Sequence, residues 1–171
     1  MPSFRMPALA VIGVLAVVPG AAIASDRLAV YQAIPSEIDP AVREFDDPNI
    51  AITSPDLPQD APLVVFMPGT GGKPGSSMDI LRVIAGQGYR VIGLEYNNVP
   101  AVVQVCPRNP DPDCSAAFRE MRIYGEGDGA PVSNSPEESI ISRLVAMLRM
   151  LNDDHPGEGW GRYLNGDEPR W

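Results

Sequence analysis

Leu63-Val64-Val65-Phe66-Met67 is an unbroken apolar run that stops at Pro68-Gly69. A short run of this kind, rich in β-branched residues, predicts a strand buried on both faces, as in a parallel sheet. The spacing then changes. Met78, Leu81, Val83, Ile84 and Ala85 predict a helix with these positions facing inward, Ser76 or Ser77 at its cap and Gly88 at its stop. Arg90-Val91-Ile92-Gly93-Leu94-Glu95-Tyr96 predicts a second strand. A crossover helix of about three turns between two apolar strands implies a right-handed unit and a parallel pair.

The flanking regions are less regular. Residues 25–61 are rich in Pro, Asp and Ser, with short apolar pieces at Leu28-Ala29-Val30-Tyr31 and Ile50-Ala51-Ile52. These predict short edge strands or an extended N-terminal arm, and Pro55, Pro58 and Pro62 punctuate the loop that follows. Beyond Asn97-Asn98-Val99-Pro100 the chain makes a long excursion to Ser135, with a helical piece over Ala116 to Tyr124. Loops of this length are usually functional or covering. Ser135-Pro136-Glu137-Glu138 then predicts a helix start, from a capping serine, a first-turn proline and a capping-box glutamate. Ile140, Ile141, Leu144, Val145, Leu148 and Leu151 give that helix its apolar stripe, and it is expected to end near Asn152.

The N-terminus changes the picture of where the protein works. Arg5 precedes an apolar run from Ala8 to Val18, and Ala22-Ile23-Ala24 supplies small residues at the positions a signal peptidase requires. Residues 1–24 therefore predict a cleaved secretory signal. The run is well short of the roughly 20 residues a spanning helix needs. An exported, soluble chain in the periplasm or secreted beyond it is expected. The formal net charge is −9, and Lys73 is the single lysine. An acidic chain without clustered Lys and Arg gives no reason to expect nucleic acid, and with no second long apolar run no membrane association is expected after signal cleavage. Cys106 and Cys114 flank a turn-rich segment, and in an exported protein such a pair is expected to form a disulfide. With one histidine and no second cysteine cluster, no metal site is expected, and no cofactor.

The candidate chemistry sits in Gly69-Thr70-Gly71-Gly72-Lys73-Pro74, between the first strand and its helix. A phosphate loop is excluded: Met67 stands where its first glycine would be, and Pro74 where Ser or Thr would follow the lysine. A dinucleotide fingerprint is a near miss. Gly69 and Gly71 fit and Glu95 stands where a ribose-binding acid would, but Pro74 replaces the last glycine. An oxyanion hole remains, in which backbone N–H groups fixed at a strand end stabilise the charge that develops in acyl transfer. A plain strand-to-helix turn is the alternative.

The stretch from Leu63 to Gly72, followed by Gly88 to Asn98, resembles the start of an α/β-hydrolase domain, and is most similar to exported bacterial proteins of that superfamily. Val105 to Cys114 and Gly157 to Arg170 are similar to the same group. The resemblance runs from about Pro62 to the last residue. It implies an α/β fold, a partial three-layer αβα sandwich with two or three parallel central strands. It implies a serine hydrolase acting on an ester or similar small acyl substrate, with Thr70 or Gly71 as the backbone oxyanion donor and Gly69 and Gly72 in support. It also implies that Gly-x-Ser-x-Gly, then the acid and histidine, follow a segment like Asp167 to Trp171. None of the three is found here, because Gly75-Ser76-Ser77-Met78-Asp79 lacks the final glycine and His155 stands too early in the order. Residues 62–171 are thus expected to be the N-terminal half of such a domain, inactive alone. Two alternatives remain: a secreted non-catalytic binding module that uses the loop as an anion site, and a dinucleotide-binding protein.

Overall fold

The computed structural model describes residues 27–170; the segment read as a signal, 1–24, lies outside them. In chain order the elements are β1 (Ala29–Ala33), α1 (Pro35–Ile38), β2 (Asn49–Thr53), β3 (Leu63–Phe66), α2 (Met78–Gly86), β4 (Arg90–Gly93), α3 (Val102–Val105), α4 (Cys114–Tyr124), α5 (Ile140–Asp154), β5 (Leu164–Asn165) and β6 (Glu168–Pro169). The fold is mixed α/β. Four strands form one sheet in the order β1-β2-β4-β3, and β5 and β6 form a small hairpin.

β3 and β4 are parallel and joined through α2, as their apolar runs predict, but β3 lies at the edge of the sheet and its four residues are half-buried rather than buried on both faces, because no strand pairs with its outer side among the described residues. Of the two strands of the N-terminal region, β1 lies at the sheet edge as expected, whereas β2 corrects the expectation twice. β2 is not an edge strand: it lies between β1 and β4, and all five of its residues are buried. It also runs antiparallel to both neighbours, so the sheet is mixed. Ile50-Ala51-Ile52 is apolar on both faces, and a place between two strands with helices packed on each face buries both.

Helices cover both faces. Ile50, Ile52 and Val91 pack with Leu81 and Ala85 of α2 on one side. Ala51, Ile92 and Leu94 pack with Leu144, Met147, Leu148 and Leu151 of α5, and with Trp160, on the other. Gly93 permits the close approach of α2, since a Cβ there would stand 2.9 Å from Leu81 and 3.2 Å from Pro74. Close contact of helix and strand is thus supplied by a glycine on the strand.

Three helix details differ from expectation. Val83 points to solvent at 64 % exposure, because Leu81 and Ala85 alone face the sheet squarely. Residues Pro74–Ser77 tighten into a 3₁₀ turn, so neither serine caps α2 through its side chain. α5 begins at Ile140, not Ser135, and its cap is Ser139, whose hydroxyl accepts from the Ser142 N–H at 3.2 Å. Glu138 cannot complete a capping box because its carboxylate is engaged elsewhere, by Arg143 and the N–H groups of Arg43 and Glu44.

The long excursion is ordered by α3, α4 and a disulfide between Cys106 and Cys114. The bond closes a short loop at the periphery. Replacing both cysteines with serine is expected to cost about 2–3 kcal/mol through loop-closure entropy, read as a lower denaturant midpoint. Among the described residues no helix is long and apolar enough to cross a membrane.

Candidate functional site

Parallel β3 and β4 end side by side, and two polar segments leave their carboxyl ends: Pro68 to Lys73 and Glu95 to Asn98. This is where open α/β sheets place ligands. The four glycine-loop residues singled out in the sequence sit here together. Gly71 has φ +72°, a conformation that strains any other residue, and the Gly72 N–H closes the turn onto the Gly69 carbonyl at 2.8 Å. A Cβ on Gly72 would meet that same carbonyl at 3.0 Å.

A residue outside the glycine motif holds the loop. Buried Asn98 accepts from the Gly71 N–H at 3.0 Å and donates to the Gly72 carbonyl at 2.9 Å. The Tyr96 hydroxyl donates to the Pro68 carbonyl at 2.9 Å. The signal for both was polarity just past a parallel strand, where neighbouring loops meet. The Gly71 N–H is therefore committed to Asn98. The N–H groups of Gly69 and Thr70 donate to nothing among the described residues, and both residues are exposed. Of the two donors weighed from sequence, Thr70 is the one whose N–H is free to meet a ligand.

Charged groups lie behind the loop. Lys73 pairs with Asp47 at 2.7 Å, and that hydrogen bond holds its ammonium above the usual lysine range. Glu95 is 2 % exposed, and its Oε2 finds no hydrogen-bond partner. Burial first, and then the charge of Asp47, push its carboxyl up to about 7. Its backbone N–H is held by Asn49 Oδ1 at 2.8 Å. On the far side, buried Arg122 donates to Asn134 Oδ1 at 2.6 Å and to the Val99 carbonyl at 2.9 Å, with its guanidinium 5.3 Å from the Phe118 ring.

The other candidates are elsewhere. His155 follows α5 and stacks on Tyr31 with ring centroids 3.9 Å apart. The residues just after it reach Gln59 and Arg90, at the opposite end of the sheet from the glycine loop. Ser76 and Ser77 lie in the turn before α2, and no histidine approaches them, since the single one is His155. Among the described residues there is no group of three or more His, Cys, Asp or Glu that could hold a metal ion. The arrangement present can offer backbone N–H donors to an anionic oxygen. No family model, curated protein or solved structure matches the chain.

Proposed function

We propose that this chain carries the oxyanion-stabilising loop of an exported serine hydrolase of the α/β-hydrolase kind, acting on an ester or similar small acyl substrate. The observation that carries this is the free Thr70 N–H on a loop whose next residues are clamped by Asn98. A donor fixed before the reaction stabilises developing charge without reorganising. Its place also supports the assignment. The loop follows the third strand in chain order and precedes a helix, which is where hydrolases of this kind keep one oxyanion donor. Export is supported by the signal-like N-terminus and fits the Cys106–Cys114 disulfide.

The loop supplies half of an oxyanion hole. The second donor in such enzymes is the N–H after the nucleophilic serine. Gly-x-Ser-x-Gly does not occur in these 171 residues, so serine, acid and histidine would come from residues outside this sequence. The test is fluorophosphonate labelling with p-nitrophenyl acetate turnover. The 171-residue chain is expected to show neither. The native exported polypeptide that contains it is expected to show both, and Thr70→Pro there should cut turnover about 10²–10³-fold by deleting one donor. A native polypeptide with no reactive serine, or labelling of Ser76 or Ser77, would overturn the assignment.

A further inference from the structure

Asn98 clamps the glycine loop, and the residues on either side of it are held by one side chain from the long excursion. Arg122 Nη2 donates to the Val99 carbonyl at 2.9 Å. Arg122 Nη1 donates to Asn134 Oδ1 at 2.6 Å, and that same oxygen accepts from Asn97 Nδ2 at 3.2 Å. The stretch that carries Asn98 is thus tied on both flanks, directly at Val99 and through one shared oxygen at Asn97. Between the two ties, Asn98 meets the Gly71 N–H and the Gly72 carbonyl.

The local sequence puts Arg122 in this place. The buried residues of α4 are Cys114, Phe118 and Arg122, spaced four apart and so on one face of the helix. Gly125 then takes φ +71° and turns the chain against Ser135 and Pro136; a Cβ on it would stand 2.5 Å from the Pro136 Cα. That close approach brings Asn134 to the end of α4. Asn134 is fixed in turn, since its Nδ2 donates to the Glu138 carbonyl at 3.2 Å.

The charge of Arg122 is otherwise unexplained. It is 5 % exposed and, among the described residues, forms no salt bridge, whereas the similarly buried Arg143 pairs with Glu138. Burying a cation is costly unless it is paired and hydrogen-bonded. Arg122 Nε finds no partner, and the other two nitrogens spend their bonds on the flanks of Asn98. A planar guanidinium holds two acceptors in a fixed relation, which a lysine ammonium on its flexible stem does not.

We propose that Arg122 is a positioning residue for the glycine loop: it fixes Asn97 and Val99, aims the Asn98 amide at Gly71 and Gly72, and so sets how the Thr70 N–H is presented. The positioning stands on these contacts; what the positioned N–H does rests on the hydrolase reading.

The experiment is native-state hydrogen exchange on the full chain without ligand, reading the Gly71 N–H. Arg122→Met is expected to speed exchange there about tenfold, the scale of one hydrogen bond's net contribution. Asn98→Ala should speed it at least as much. With Asn98→Ala already in place, Arg122→Met should add nothing at Gly71, because its effect passes through Asn98. A merely structural role for Arg122 would speed exchange by the same factor with and without Asn98. Should Arg122→Met fail to fold, Asn134→Ala, which severs the Asn97 flank alone, is read in the same way. Gly71 exchange that these variants leave unchanged, or raise equally in both backgrounds, would overturn the proposal. No acyl ligand enters the measurement, so its failure would leave the hydrolase reading standing, and a chain without hydrolase chemistry would still show the coupling.

Discussion

Arg143→Ala is expected to lower the free energy of unfolding by about 3–5 kcal/mol, the largest effect of any single substitution considered. Arg143 is 3 % exposed, and its guanidinium meets five acceptors. It pairs with the Glu138 carboxylate, and it donates to the carbonyls of Glu138, Phe45, Glu44 and Glu95 at 3.3, 2.9, 2.6 and 3.4 Å. These join the N-terminal region, the start of α5 and the end of β4. Removing the cation strands a mostly buried carboxylate and several carbonyls together, and an uncompensated buried charge costs far more than its pair contributes. The control is Arg143→Met with Glu138→Gln. With the pair neutralised, a good part of the loss should return, because no charge is left stranded. Chemical denaturation of the wild type and these two variants measures this. A loss for Arg143→Ala below about 1 kcal/mol, the scale of an exposed ion pair, would contradict it.

Stability is also expected to fall by up to about 3 kcal/mol between pH 5 and pH 8, through Glu95. Its carboxyl sits at about 7 in the folded chain against 4.5 for the unfolded reference. A carboxyl raised on folding stabilises fully below its unfolded value and loses that contribution as pH rises through the folded one. Each unit is worth about 1.4 kcal/mol, so the interval between the two values sets the ceiling. Glu138 works in the other direction. Burial opposes its ionisation, but hydrogen bonds from the Arg43 N–H, Arg143 and the Glu44 N–H outweigh it and hold its carboxyl below the usual range. Its contribution is present above 4.5 and is lost as pH falls further. Stability should therefore peak near pH 5. Glu95→Gln should remove the decline on the alkaline side and leave the acid side unchanged. Unfolding free energies across pH 4 to 9 check this, and a wild-type curve flat from 5 to 8 would contradict it.

The central unit was legible because its signals are local. Leu63 to Phe66, the glycines, Leu81 with Ala85, and Arg90 to Gly93 lie within one stretch of about thirty residues, where strand and helix periods contrast sharply. β2 was misplaced because position within a sheet is a long-range property. Asn49 to Thr53 is short and flanked by Pro48 and Pro55, and its pairing with β1 and β4 leaves no trace in its own spacing. The start of α5 was misplaced for the same reason: Glu138 looked like a capping residue until its partners proved to be Arg43 and Glu44, more than ninety positions away.

The site divides along similar lines. The loop was found by its glycines, and Cys106 with Cys114 by spacing and compartment. Which N–H stays free was not readable, since it depends on Asn98, 27 positions beyond Gly71. Glu95 was noticed as a strand-end acid, but its burial and its unpartnered oxygen depend on packing by elements distant in the chain.

The most direct measurement is a titration of the full chain at fixed pH with phenylphosphonate, an anion shaped like the tetrahedral intermediate, following the amides of Gly69 to Lys73. The Thr70 N–H is expected to shift downfield and saturate while the Gly71 N–H, held by Asn98, stays in place. A Thr70 amide that does not move, or Gly71 and Gly72 shifting as far as Thr70, would contradict the assignment of this loop as a pre-formed oxyanion donor.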